Sequence, residues 1–509
     1  MKDMSKLRRT AFYITFLAIL LKLSGFLRES IIARQFGANE YTDGYLLAFS
    51  FITLVVAMIS GGFNNVFLPL YVKHKKSAPA ATEKNANGIM NSTVAVFLLV
   101  TVAGFFFVPK LIPYIFGSMH PTTEVITVEI TQIFFLFMSA IALNGILESY
   151  LQGRRIFVPV QVSKLLATLM GAVFAVLFSE QWGIHSLAYG FVTGIILGII
   201  IQFLFLQRSG FRWEPTLAVE KKFRAAFLVL LFPALLNSVV GQINMFVNKL
   251  FASGTIEGAV TYLNNASLLV SIPNAIYATT VAAIIFTLLS EQVDNPKKFQ
   301  KTVFTGMELS LVSLLPIAVG LFLVGEAAIS FVYERGQFTA ADTANTYVAL
   351  MMYVPLIVTQ GLQYIVSKSM YARGKTAIIL KISSTTILLN VVLNYLLVGP
   401  FGYPGLALSS SLVSVYYLSV TSVFVYREFE AEERKRLWNL FMRVVPGTIM
   451  MAVPIFLLQR FTGVTELYSL FQLMILVPLG AVLYVGGTYV FYREGFRRVV
   501  SLVLKRRKS

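Results

Sequence analysis

Ile184-His-Ser-Leu-Ala-Tyr-Gly-Phe-Val-Thr-Gly-Ile-Ile-Leu-Gly-Ile-Ile-Ile-Gln-Phe-Leu-Phe-Leu206 contains no Asp, Glu, Lys or Arg, and runs into the polar stretch Gln207-Arg-Ser-Gly-Phe-Arg-Trp-Glu-Pro215. About 20 apolar residues, rising about 1.5 Å each, suffice for a helix to cross the hydrocarbon core of a bilayer. The segment therefore reads as a membrane-spanning helix that stops at a basic loop. Gly190, Gly194 and Gly198 recur at every fourth residue. That spacing puts small residues on one face, a structural ladder for close helix packing.

The same ruler, moved outward in both directions, finds about fourteen spans. The first six lie near 10–33, 43–71, 89–108, 126–151, 157–178 and 184–206. Six more lie near 225–251, 258–289, 303–324, 344–366, 376–398 and 403–426, and two near 441–459 and 467–491. Composition agrees with this reading. The 509 residues are 57% hydrophobic and 13% charged with a mean hydropathy of +0.74, whereas a soluble domain is about 25% charged. Single cores stop growing at roughly 250–300 residues, so lipid must accommodate the apolar excess. A soluble enzyme, a disordered chain and a disulfide scaffold are excluded. With no cysteine, thiol catalysis, Cys-based zinc sites and iron–sulfur clusters are excluded too. His74, His120 and His185 stand too far apart in sequence for metal-ligand spacing.

The net charge is +18, but the basic residues lie between apolar segments, where they report topology and not a nucleic-acid partner. Cytoplasmic loops carry the Lys/Arg excess. With the N-terminus inside, the outer segments hold only Arg34, Lys110, Lys249, Arg335 and Arg460 of the 42 basic residues, while Lys22 and Arg28 fall within the first span. Both termini are expected in the cytoplasm. The spans divide as six, six and two, so we expect an N-lobe over 1–212, a C-lobe over 213–427, and the last two helices with a basic tail over 428–509. Six is even, so the two halves would share orientation about an axis along the membrane normal.

Charge at membrane depth costs at least about 2.5–3.5 kcal/mol and marks function by default. Lys22 lies roughly 18 Å into the first span at helical rise, beyond comfortable reach of either interface. Arg28 and Glu29 follow near the outer boundary, and Asp43, which opens span 2, is placed to pair with Arg28. Two readings stand for these groups: a snorkelling, ion-paired structural set, or the wall of a cationic, wet cavity that holds an anion. Span 7 carries Asn237, Gly241, Asn244 and Asn248 as one polar stripe, either interhelical hydrogen-bond glue or a cavity wall. Lys22, Arg28, Asp43, Asn237, Asn244 and Asn248 are the candidate substrate-binding residues.

Motifs for ATP use or covalent catalysis are missing. Gly374-Lys-Thr376 lacks the earlier P-loop glycine because Ser369 stands there, and neither HExxH nor GxSxG occurs. No cofactor or metal is expected, and the chain reads as a transporter and not an enzyme.

Four stretches resemble the MurJ lipid II flippases of the MOP exporter superfamily. They are Ser24-Gly-Phe-Leu-Arg-Glu-Ser-Ile-Ile-Ala-Arg-Gln-Phe-Gly-Ala-Asn-Glu-Tyr-Thr-Asp43, Tyr333-Glu-Arg-Gly-Gln-Phe-Thr-Ala-Ala-Asp342, Tyr371-Ala-Arg-Gly-Lys-Thr376 and Asn390-Val-Val-Leu-Asn-Tyr-Leu-Leu-Val-Gly-Pro-Phe-Gly-Tyr-Pro-Gly-Leu-Ala407. The resemblance runs nearly end to end. It implies an all-α polytopic protein of the bacterial cytoplasmic membrane, with two six-helix lobes around a central cavity and two C-terminal helices that groove the polyprenyl tail. It implies alternating access that carries a polyprenyl-pyrophosphate-linked saccharide, lipid II, from the inner to the outer leaflet; a monomer is expected. It places the family's span-1 arginine pair on Lys22 and Arg28 and its span-2 acid on Asp43. The chain departs where the family has cavity arginines in spans 2 and 8: here stand Leu54-Val-Val-Ala57 and the neighbourhood of Leu268. These departures keep a second reading open, a flippase for another undecaprenyl-linked glycan such as an exopolysaccharide or teichuronic-type repeat unit. A MATE-type antiporter would need a carboxylate in the cavity. A membrane glycan polymerase would need a catalytic acid on an outer loop, where Glu326, Glu334 and Asp342 are the candidates.

Overall fold

The computed structural model describes residues 2–117 and 119–497, and among them the regular structure is helical. The helices are α1 (Lys2–Phe36), α2 (Glu40–Lys75), α3 (Pro79–Phe116), α4 in two parts (Pro121–Leu136 and Met138–Gly153), α5 (Val158–Trp182), α6 (His185–Arg208) and α7 (Lys221–Ala252). They continue as α8 (Ala259–Glu291), α9 (Pro296–Tyr333), α10 (Ala340–Ala372), α11 (Thr376–Phe401), α12 (Tyr403–Tyr426), α13 (Ala431–Phe461) and α14 (Ser469–Phe491). Among the described residues 11 of these helices are long and apolar enough to cross a membrane, and the bent α4 makes up to 12. The helices α1 and α7, at 35 and 32 residues, are also long enough to span. With them, on length alone, the tally is roughly consistent with the fourteen read from the sequence.

Local chemistry sets the helix ends. Asn39 begins α2 by accepting the backbone N–H groups of Tyr41 and Thr42, each at 3.1 Å, the usual way a side-chain oxygen satisfies orphan donors. Thr339 and Asp342 form a reciprocal capping box at the start of α10, which pairs two such donors at once. Interruptions have local causes as well. Helix α10 breaks after Tyr353, where Pro355 supplies no N–H. A π turn at Ala278–Ala282 follows Pro273 within α8, and the two parts of α4 meet at 57°.

Two compact units result, one of residues 1–261 with 336–338 and one of residues 262–335 with 339–509. In the first, α5 and α6 pack as a close antiparallel pair, with α1 along α5 and α2 against both parts of α4 and against α7. The glycine ladder makes the α5–α6 contact. A Cβ on Gly194 would lie 2.5 Å from the carbonyl oxygen of Leu166, and one on Gly190 would lie 2.3 Å from that of Met170. Close approach of the two backbones replaces the hydrophobic drive that lipid cannot provide. Buried polar side chains in this unit are cross-linked. Asn144 of α4 accepts from Ser163 of α5 at 2.8 Å and Gln202 of α6 at 2.6 Å, and its amide donates to Glu148 at 3.2 Å. Lys164 completes that set at 3.0 Å from Glu148.

In the second unit α9 is central. Its Phe304, Leu311 and Val312 pack on Leu440 and Val444 of α13 and on Tyr492, and its Val324 packs on Met451, Ile455 and Leu476 of α13 and α14. Helices α13 and α14 touch through Gly447 and Gly487, whose Cβ would lie 2.8 Å from the Gly447 Cα. At the ends of α10 and α12, Arg373 pairs with Glu428 at 2.6 Å and stacks on Phe299 at 4.2 Å, and Lys375 pairs with the other oxygen of Glu428.

Candidate functional site

Two of the signature stretches meet in the first unit, although some 300 residues separate them. Gln337 donates its backbone N–H to the Arg34 carbonyl at 3.0 Å. Glycine is needed on both sides of this contact. Gly37 and Gly336 have φ of +72° and +62°, and a Cβ on Gly336 would lie 2.2 Å from the Arg34 oxygen, so both the left-handed backbone and the missing side chain are used.

The cations of α1 differ in their surroundings. Lys22 is exposed, and among the described residues no hydrogen bond or ion pair is recorded for it. Arg28 is nearly enclosed, its side chain 14% exposed, and it pairs with Glu29, which is 3% exposed. Arg28 Nε donates to Glu29 Oε1 at 3.1 Å, and its guanidinium lies 4.5 Å above the Phe49 ring of α2. Phe49 stands in turn edge-on to Phe191 of α6 at 5.3 Å and packs on Tyr45 at 5.5 Å. An aromatic floor from α2 and α6 thus holds the guanidinium in a cation–π geometry.

The expected Arg28–Asp43 pair is corrected here: the carboxylate beside Arg28 is its own neighbour, Glu29. Asp43 is buried and serves the start of α8. It accepts the N–H of Thr261 at 2.9 Å, the Thr261 hydroxyl at 2.6 Å and the N–H of Val260 at 3.4 Å. A carboxylate facing a helix N-terminus is stabilised both by those donors and by the helix dipole. Asp43 in this position ties α2 to α8.

On α7 the side chain of Asn237 lies outside the described residues. Asn248 is buried, and Asn244 is half-buried with an inaccessible Oδ1 that has no partner. The neighbouring row of the same helix lines a small cavity. Gln242, Met245, Phe246 and Lys249 face Ser50, Thr53 and Leu54 of α2 around about 90 Å³ of space. Lys249 Nζ donates to Ser50 Oγ at 2.8 Å, and this ammonium lies within electrostatic reach of Arg28, Glu29 and Asp43.

The loop-charge pattern of the sequence assigns Lys249 to an outer segment, because the span ends near it. The signal available was its register: 242, 245, 246 and 249 follow i, i+3, i+4, i+7, one face of a helix, and apolar residues continue past it to Ala252. Other polar groups in the spans act as interhelical ties. Asn64 accepts from Ser149 at 2.8 Å, Gln360 accepts from Asn274 at 3.1 Å, and Gln363 donates to the Ser414 carbonyl at 2.7 Å.

With this geometry in place, comparison with known proteins decides the family. The family model described as Lipid II flippase MurJ matches residues 32–477. The chain belongs to the MurJ family. Within that family, a relative from Burkholderia cenocepacia named lipid II flippase MurJ is 25% identical, over 77% of this chain and 78% of its own. A Buchnera aphidicola protein named probable lipid II flippase MurJ is 26% identical, over 94% of this chain and 95% of its own. A solved structure of lipid II flippase MurJ in an inward closed conformation superposes with a TM-score of 0.80 at 24% identity, covering 94% of this chain and 99% of that one. An inward-facing MATE family transporter of the MOP superfamily gives 0.67 at 13% identity over 83% of this chain. These two likenesses establish the fold, that of the MurJ and MATE transporters. Membership of the family and the apolar helices make the chain a multi-pass protein of the bacterial cytoplasmic membrane.

Proposed function

We propose that the protein is a flippase for lipid II, moving this polyprenyl-pyrophosphate-linked saccharide from the inner to the outer leaflet by alternating access. In this reading the six-helix lobes over 1–212 and 213–427 rock, the helices over 428–509 accompany the prenyl tail, both termini are cytoplasmic, and a monomer suffices. Lys22, Arg28, Asp43, Asn237, Asn244 and Asn248 remain the residues proposed to serve substrate binding, Asp43 by fixing α2 to α8.

The observation that carries the reading is the exposed Lys22 on α1, in a chain whose family is that of lipid II flippases. A lysine in an apolar span is expensive unless water or an anion faces it, and a pyrophosphate link is an anion that must cross. An antiporter for cations would need the opposite charge there. The enzyme alternative is disfavoured by two of its three candidates, Asp342 and Glu334. Asp342 is engaged by the capping box and by the Tyr262 hydroxyl at 2.9 Å, and Glu334 accepts from Thr343 at 2.8 Å.

A second reading, a flippase for another undecaprenyl-linked glycan, rests on the apolar Leu54-Val-Val-Ala57, where the resemblance puts a cation. Expression in a strain depleted of its lipid II flippase separates the two. Rescue of growth supports lipid II. Failure with the protein stably inserted assigns it to the other glycan.

A further inference from the structure

Consecutive residues of α2 meet two cations from different helices. Phe49 lies under the Arg28 guanidinium of α1, and Ser50 accepts from Lys249 of α7. Glu29 is the carboxylate in contact with Arg28. Asp43 is committed to the N-terminus of α8, where the helix dipole offsets its charge. Arg28 and Lys249 thus reach neighbouring residues of α2, roughly 15 Å from its start at helical rise. Thr53 and Gln242 stand exposed on the rim of the adjoining cavity. Polar side chains on an exposed rim, with an ammonium enclosed behind them, are unfavourable against hydrocarbon and favour water. The cavity, about 90 Å³, has room for several waters and so for a phosphate group that displaces them.

We propose that Lys249, with the Ser50 hydroxyl and the Gln242 amide at its side, is a second oxyanion-binding position of the first unit and takes one phosphate of a prenyl-linked pyrophosphate. The proposal rests on the flippase reading and adds to it a residue on α7 that supplies charge at a level where α2 itself has none. A lysine suits the task because its ammonium is a compact point charge whose three donors rotate among partners, Ser50 in the resting state and phosphate oxygens on binding. The shared ligand chemistry is a diphosphate, whether joined to a lipid or free in water.

The test uses purified full-length protein and titrates farnesyl pyrophosphate, farnesyl monophosphate and inorganic pyrophosphate over a range of salt concentrations. Wild type is expected to prefer farnesyl pyrophosphate to the monophosphate by at least tenfold. Lys249→Gln should reduce that preference at least fivefold and flatten the salt dependence, Ser50→Ala should reduce it less, and Lys249→Arg should retain it. A role confined to pinning α2 to α7 would lower thermal stability in Lys249→Gln and leave the diphosphate preference and salt slope unchanged, which overturns the proposal. Because Lys249→Gln could fold poorly, Lys249→Arg and Ser50→Ala report independently: an unchanged preference in Ser50→Ala together with a lost one in Lys249→Arg also overturns it. Inorganic pyrophosphate binding as tightly as the farnesyl form would refute the lipid-linked source. Loss of binding in Lys22→Ala with none in Lys249→Gln refutes this position and leaves the flippase reading standing, whereas a wild type blind to farnesyl pyrophosphate refutes both.

Discussion

Arg28→Ala alone will mislead, and the structure says why. Truncation removes a cation 4.5 Å above Phe49 and the ion pair of Glu29, a carboxylate only 3% exposed. Losing the cation–π contact costs about 0.5–2 kcal/mol. Taking one partner from an enclosed ion pair costs about 3–5 kcal/mol, most of it the charge left behind. Against a domain stability of about 5–15 kcal/mol, the single variant is expected to lose much of its folded yield. Arg28→Ala combined with Glu29→Gln removes the stranded charge and should recover most of that yield. Transport should not recover with it. One cation at 4 Å in an effective dielectric of about 20 attracts an anion by about 4 kcal/mol gross, and desolvation reduces this to one to a few kcal/mol, or about ten- to a hundredfold in binding. The assay pairs detergent-solubilised thermal unfolding with the rate at which labelled lipid II in proteoliposomes becomes accessible from the far side. A double variant that folds and flips like wild type would refute the argument and leave Arg28 as packing.

Other outcomes follow from the same geometry. Gly194→Leu should abolish stable insertion, because even a Cβ there lies 2.5 Å from the Leu166 oxygen and overpacking at a backbone contact is destabilising; folded yield by size-exclusion chromatography reads this. Glu334→Gln and Asp342→Asn should keep more than half of wild-type transport, since both are engaged in loop architecture; loss in both with normal insertion would revive catalysis. The hydrogen bond from Lys375, followed by the charges of Lys375 and Arg373, holds the Glu428 carboxyl below its usual range. Its contribution to stability is therefore present above the ordinary carboxylate pKa and lost as pH falls through the depressed one. A thermal-unfolding profile between pH 6 and 3 should show a small acid-side loss, limited by solvent screening, that Glu428→Gln abolishes.

The span pattern was legible because apolar runs of helical length and charge asymmetry between loops are local properties, readable without partners. The bend of α4 at Phe137 and the break of α10 before Pro355 left each span intact, so neither disturbed the count. The glycine ladder was legible for a similar reason, since period four on one helix states which face is small, though not that α5 lies against it. Pairings were less legible. Asp43 next to a basic helix end invited an ion pair with Arg28, but the N-terminus of α8, more than 200 residues away, offered three hydrogen bonds. Lys249 was hidden by its place in the last turn of α7, where a loop charge and a cavity charge look alike until Ser50 of another helix is set beside it.

The central claim is that an anionic lipid-linked pyrophosphate crosses on cations of the first unit. Its most direct measurement is the lipid II translocation rate in proteoliposomes for wild type, Lys22→Ala and Lys22→Arg at equal protein density. We expect wild type to accelerate translocation, Lys22→Arg to keep most of that rate and Lys22→Ala to fall to the protein-free background. A Lys22→Ala variant that translocates at the wild-type rate would contradict the claim.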